Sequence, residues 1–159
     1  MSIKIGDTIP LSTLTVMSEQ GPAPVSTSEL FEGKKVVLVS VPGAFTPTCS
    51  ARHLPGYIEN VDKLLAAGID TIAFYAVNDV FVMNAWGKSA GAGKILMLAD
   101  GNGEFTSALG LELDATAYGM GHRSQRFALV AENGKVTRLF VENPGEFRVS
   151  SAEHVLANL

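Results

Sequence analysis

The stretch Lys35-Val36-Val37-Leu38-Val39-Ser40-Val41-Pro42-Gly43-Ala44-Phe45-Thr46-Pro47-Thr48-Cys49 runs from an unbroken apolar segment, through a Pro-Gly turn, to a cysteine that opens a helix. Residues 35–41 are apolar but for Lys35 and Ser40 and show no alternation, so they read as a strand covered on both faces and central in its sheet. Pro42 lacks an N–H and ends that strand. In an open α/β sheet, the carboxyl ends of the strands carry the chemistry. Cys49 is the only cysteine among 159 residues. At a helix start it meets the positive end of the helix dipole and unpaired backbone N–H groups, which favour the thiolate, the reactive form. The competing reading is a small buried apolar residue, which many lone cysteines are.

Outward from this segment, residues 11–17 read as a strand, and Thr48 to about Ala67 as a helix that Pro55 kinks or interrupts. Ile69 to Val77 is the next strand, and Asp79 caps a helix through about Ser89. Lys94 to Leu98 forms a short strand, followed by a brief helix near Glu104 to Leu109. Phe127 to Val130 and Val136 to Val141 flank Glu132-Asn133-Gly134-Lys135, an Asn-Gly hairpin signal. Ser151 caps a last helix running toward Leu159. Residues 18–27 and 112–122 are the least regular. Strands and helices alternate first and a hairpin closes the sheet. That order gives an α/β chain and fits a thioredoxin-like fold with a central mixed sheet flanked by helices, as one domain over residues 1–159.

Composition narrows the function classes. A 159-residue chain that is 47% hydrophobic can bury a core without disulfides. A formal net charge of -4 argues against nucleic acid or an anionic membrane as partner. The richest apolar run, Val36 to Val41, is far too short to cross a bilayer. A soluble, cytoplasmic protein is expected, with an organellar location after removal of a targeting peptide left open. His53, His122 and His154 make no metal-ligand spacing with Cys49, so neither a metal nor a bound prosthetic group is expected. Gly101-Asn102-Gly103 and Gly119-Met120-Gly121 lack a strand-to-helix setting and read as turns rather than phosphate loops.

Pro42-Gly43-Ala44-Phe45-Thr46-Pro47-Thr48-Cys49-Ser50 resembles the active-site loop of peroxiredoxins, thiol peroxidases that reduce hydroperoxides, and within them the type II, peroxiredoxin-5-like branch. The likeness continues in His53-Leu54-Pro55-Gly56-Tyr57, Ala76-Val77-Asn78-Asp79-Val80-Phe81-Val82, Ala85-Trp86-Gly87, Leu98-Ala99-Asp100-Gly101 and Arg123-Ser124-Gln125-Arg126-Phe127. It implies a thioredoxin-like fold in which Cys49 is the peroxidatic nucleophile, Thr46 binds peroxide oxygen, Pro42 shields the thiolate and Arg126 is the cation near the sulfur. Arg123 is expected to support them.

The chemistry suits this set. Negative charge leaves the sulfur and develops on the departing oxygen, so donors must follow it. Thr46 lies one turn before Cys49 and can accept the peroxide proton while donating elsewhere. Arg126 offers a permanent charge and a fork of N–H donors. His53, four residues after Cys49, invites a Cys-His nucleophile-base reading, but reads better as a packing or hydrogen-bonding residue.

One departure stands out. Many type II relatives carry a second, resolving cysteine; the matching positions here are Phe74 and, near the C-terminus, at or next to Ser150. A lone cysteine forms no intramolecular disulfide. The resemblance therefore implies a one-cysteine enzyme whose sulfenic acid is resolved by an external thiol, with glutathione and glutaredoxin favoured over thioredoxin. A homodimer is also expected, since Phe45 and Trp86 match regions where type II members pair. The competing readings are a peroxide sensor or redox relay, and a thioredoxin-fold binding or chaperone module without turnover.

Overall fold

A computed structural model describes residues 1–159. Seven strands form the main sheet in the order β2-β1-β5-β4-β3-β8-β9, where β1 is Thr13–Ser18, β2 Gly21–Ser26, β3 Lys35–Ser40, β4 Thr71–Ala76, β5 Leu96–Ala99, β8 Phe127–Glu132 and β9 Lys135–Val141. The helices are α1 (Thr27–Phe31), α2 (Leu54–Ala66), α3 (Val80–Ala90), α4 (Glu104–Leu109) and α5 (Ala152–Ala157). β3, β4 and β5 run parallel, and β8 lies antiparallel to β3, so the sheet is mixed as expected. The Asn133-Gly134 turn joins β8 to β9 with Asn133 at φ 50°, the left-handed conformation this hairpin requires.

β3 is central because both of its faces are covered. Val37, Val39 and Val41 enter one core with Cys49, Leu54, Tyr57, Phe74 and Trp86, while Val36 and Leu38 enter the opposite core with Tyr75, Phe105 and Phe127. Period-two geometry divides an apolar strand in this way. Each of these valines is almost fully buried, a gain of roughly 1.5 kcal/mol or more apiece. At the second core's edge, Ile3 N–H donates to the Leu109 carbonyl at 2.9 Å and seats the N-terminal segment.

The structure differs from expectation in two places and meets it in a third. Residues 18–27 are regular: β1 and β2 make a hairpin, and Ser26 caps α1 by accepting from Glu29 N–H. Residues 112–122 hold a two-stranded arm, β6 (Glu112–Ala115) against β7 (Gly121–Ser124), separated by a 3-10 turn at Thr116–Tyr118. Both stretches are polar or rich in turn residues and lack a full apolar alternation, so pairing with a neighbour decides their shape. The helix expected over 48–67 is interrupted as Pro55 demands. A π-helical turn, Cys49–His53, precedes α2, with Leu54 N–H bonded to the Cys49 carbonyl. Pro55 then falls in the first turn of α2, where a missing N–H costs nothing.

Candidate active site

Three elements converge on Cys49. The loop after β3 carries Pro42 to Thr46, the π-helical turn carries Cys49 and His53, and the residue before β8 is Arg126. Because β3 and β8 pair with Ser40 opposite Phe127, Arg126 emerges beside the loop that leaves β3. Asn78, just ahead of α3, pins that loop by accepting from Ala44 N–H at 2.9 Å. Phe45 takes a left-handed φ of 63°, an uncommon state for a bulky side chain that the anchored loop imposes.

Cys49 is fully buried. Thr46 Oγ1 stands 2.8 Å from its Sγ and 2.8 Å from the Gly43 carbonyl. A hydroxyl carries one proton, so when it donates to Gly43 its lone pairs face the sulfur's side of the loop, and when it donates to sulfur it stabilises the thiolate. Arg126 Nη2 donates to Sγ at 3.0 Å and Nη1 to His53 Nδ1 at 2.8 Å. Guanidinium has no acceptor, so Nδ1 must offer a lone pair and the ring proton sits on Nε2, which donates to the Ser150 carbonyl at 3.0 Å. Burial, together with the Arg126 charge, lowers the His53 pKa from 6.5 to about 3, so the ring is neutral at physiological pH. Tyr57, its pKa raised chiefly by burial, donates to the same Ser150 carbonyl at 2.8 Å.

Next to the buried sulfur lies a cleft of about 500 Å³ lined by Pro42, Thr48 and Arg126, with Leu113 and Met120 of the β6–β7 arm and Glu142 also in its lining. Arg123, on β7, donates through Nε to the Met120 carbonyl, and its Nη1 approaches Gly43, so it braces the loop from the arm. A Cβ on Gly43 would lie 3.2 Å from Arg123 Nη1, Met120 and Thr46 alike, so a side chain here would press on all three.

Of the residues expected at the site, Thr46 and Arg126 meet at the Cys49 sulfur, Pro42 shares a cleft lining with Arg126, and Arg123 braces the loop beside them. Sequence reasoning missed Asn78, Glu142 and the Ser150 carbonyl, and gave His53 no link to Arg126. Phe74, and Ser150, at or next to which the resemblance puts the other match to a resolving cysteine, are both buried. Phe74 packs edge-on against His53 and Trp86, and the Ser150 hydroxyl donates to Glu142 Oε2 at 2.6 Å. No group of three or more His, Cys, Asp or Glu is placed to hold a metal ion, and no helix is long and apolar enough to cross a membrane.

Residues 4–156 match the Redoxin family. Arabidopsis thaliana Peroxiredoxin-2D is 50% identical over 159 residues, covering 99% of this chain and 98% of the relative. The chain belongs to the peroxiredoxins. Within them it is a type II, peroxiredoxin-5-like member in one-cysteine form, and its activity is that of a thiol peroxidase acting with an external thiol reductant. The chloroplastic Peroxiredoxin-2E of Arabidopsis thaliana is 47% identical over 163 residues, covering 99% of this chain and 70% of that protein. Reduced Prx3 of Vibrio vulnificus, solved in complex with H2O2, superposes on this peroxiredoxin with a TM-score of 0.95 at 54% identity, covering 98% of each chain. The thioredoxin-like fold of this peroxiredoxin is thereby established.

Proposed function

We propose that this single-domain peroxidase works through Cys49, with Thr46, Arg126 and Pro42 as its immediate partners and Arg123 as support. The observation that carries the reading is the convergence of Thr46 Oγ1 at 2.8 Å and Arg126 Nη2 at 3.0 Å on the only thiol in the chain. Hydrogen peroxide or a small organic hydroperoxide enters the cleft, and the thiolate attacks its terminal oxygen. The S–O bond forms as the O–O bond breaks, the departing oxygen takes up the peroxide's proton and leaves as water or alcohol, and the sulfenate left on sulfur takes a proton from solvent. Thr46 accepts the peroxide hydrogen while donating to Gly43, Arg126 follows the charge from sulfur to leaving oxygen, and the Pro42 ring limits water around the sulfur. The hydrogen peroxide complex of the Vibrio vulnificus relative supports the substrate class.

The resulting sulfenic acid condenses with glutathione, releasing water, and glutaredoxin returns the mixed disulfide to the thiol; thioredoxin is the second choice. The filled, buried positions at Phe74 and Ser150 support resolution from outside. A homodimer is part of the reading, supported by the exposed rings of Phe45, which leans on Trp86 of α3, and Phe81 on the same helix. A cytoplasmic location completes it; the chloroplastic relative makes an organelle the contrary outcome of cell fractionation.

Intact mass after brief exposure to one equivalent of hydrogen peroxide, with a sulfenic-acid trap or glutathione present, tests the core of this. Rapid, near-complete labelling of Cys49 is expected. Labelling no faster than an ordinary thiol refutes the assignment, and turnover with thioredoxin but none with glutathione and glutaredoxin refutes the choice of reductant.

A further inference from the structure

Glu142 follows β9 and is almost wholly buried, yet no basic side chain is paired with it. Its carboxylate is held instead by the chain that returns toward α5. Oε2 accepts from the N–H groups of Arg148, Val149 and Ser150 at 2.8, 2.9 and 2.8 Å and from Ser150 Oγ at 2.6 Å, and Oε1 accepts a further bond from Arg148 N–H at 2.9 Å. Burial alone would raise the pKa of this group; the hydrogen bonds outweigh it and hold the carboxyl ionised. Glu142 N–H also donates to the Arg126 carbonyl at 3.0 Å.

This clamp fixes one backbone carbonyl. Ser150 C=O accepts from His53 Nε2–H, which commits the ring to the tautomer whose Nδ1 accepts from Arg126. The same strap carries Phe147, whose ring lies 4.8 Å from that of His53 and 6.0 Å from the Arg126 guanidinium carbon. With one N–H fork tied to His53, the other is left aimed at Cys49 Sγ.

We infer that Glu142 is a positioning residue for the peroxidase reaction, acting through the 148–150 backbone, the Ser150 carbonyl and His53 to orient Arg126. A carboxylate suits the task. Four N–H and O–H donors converge on it, and an amide would turn an NH2 group toward one of them. The inference rests on the role proposed above for Arg126.

The test is a double-mutant cycle read as the second-order rate constant for Cys49 oxidation by hydrogen peroxide. Glu142→Gln is expected to lower it about tenfold, equivalent to ~1.4 kcal/mol in barrier, with circular dichroism unchanged. In an Arg126→Ala background the same substitution is expected to change it by less than about twofold, because the group it orients is gone. His53→Gln, whose oxygen can accept from Arg126 while its NH2 donates to Ser150, is expected to stay within about threefold of the parent, whereas His53→Leu falls about tenfold. An equal Glu142→Gln effect in both backgrounds, or none in either, overturns the inference. Should Glu142→Gln fail to fold, Ser150→Ala removes only the hydroxyl arm of the clamp, and the same cycle decides: a loss confined to the Arg126 parent supports the inference, an additive loss overturns it. An Arg126→Ala variant that keeps the parent rate refutes the Arg126 assignment itself, a separate failure.

Discussion

Replacing Thr46 by valine removes one hydroxyl and little else, which makes it a clean perturbation of this site. The side chain keeps its shape, and the methyl that packs against Gly43 remains. Two interactions vanish: the 2.8 Å contact with Cys49 Sγ and the 2.8 Å donation to the Gly43 carbonyl. That carbonyl retains only the long 3.4 Å bond from Thr46 N–H. In the proposed attack the hydroxyl, its proton on Gly43, accepts the hydrogen of a peroxide that is gaining charge, and a hydrogen bond with a charged partner contributes about 1.5–3 kcal/mol. If that contribution is present in the transition state and lost from it, peroxide reduction slows by roughly 10- to 150-fold at ~1.4 kcal/mol per decade. Thr46→Ser keeps the hydroxyl and sacrifices only the methyl, so it is expected to remain within about threefold of the parent. Stopped-flow oxidation of reduced protein by hydrogen peroxide, followed through the fluorescence of Trp86, measures all three proteins. Trp86 reports from close by, since its indole N–H donates to Ser50 Oγ, next to Cys49 in the chain. A valine variant within twofold of the parent, or serine and valine variants equally slow, would refute the reasoning.

Three further outcomes follow from the same geometry. Arg126→Ala is expected to slow the oxidation step by about 10²- to 10³-fold, the usual cost of removing a charge-stabilising donor, with the melting curve still cooperative; a rate near the parent's contradicts the role. Cys49→Ser is expected to abolish peroxide consumption under excess thiol, checked by residual peroxide; surviving turnover would place the chemistry elsewhere. Acid stability carries the mark of His53. The unfolded ring takes a proton near pH 6.5 and the folded ring only near 3, so the unfolded state binds more protons between those values and stability falls as pH drops through that window. The expected loss from this ring is roughly 2 kcal/mol between pH 7 and pH 5, read by denaturant titration, and His53→Gln should flatten that part of the curve.

The sequence carried most of the sheet and most of the site, for identifiable reasons. β3 announced itself because a strand buried on both faces has no polar residue to alternate with, and the cap at Asp79 and the hairpin at Asn133-Gly134 are local chemistry that neighbours do not override. β2, with Pro22 and Pro24 in six residues, and the β6–β7 arm, with exposed polar positions, draw their order from pairing partners that no local pattern reveals. At the site, Cys49, Thr46 and Arg126 were legible as chemical types in a recognisable wording. Glu142 was not, because its partners are backbone N–H groups, and backbone donors leave no trace in residue identity. His53 appeared as a neighbour of Cys49 along the chain, while its actual business is with Arg126, 73 residues away.

The pairing of β3 with β8 bears also on how the protein comes into being. Cys49 leaves the ribosome early, but Arg126 joins it only when residues 127–132 lie down against 35–40 in the correct register. A slip of one residue would turn each inward side chain outward. Until that pairing forms, the thiol lacks the Arg126 N–H donor. On the proposed role of Cys49, peroxide reactivity is therefore a property of the finished sheet, and its appearance during refolding would serve as a chemical clock for the docking of the last hairpin.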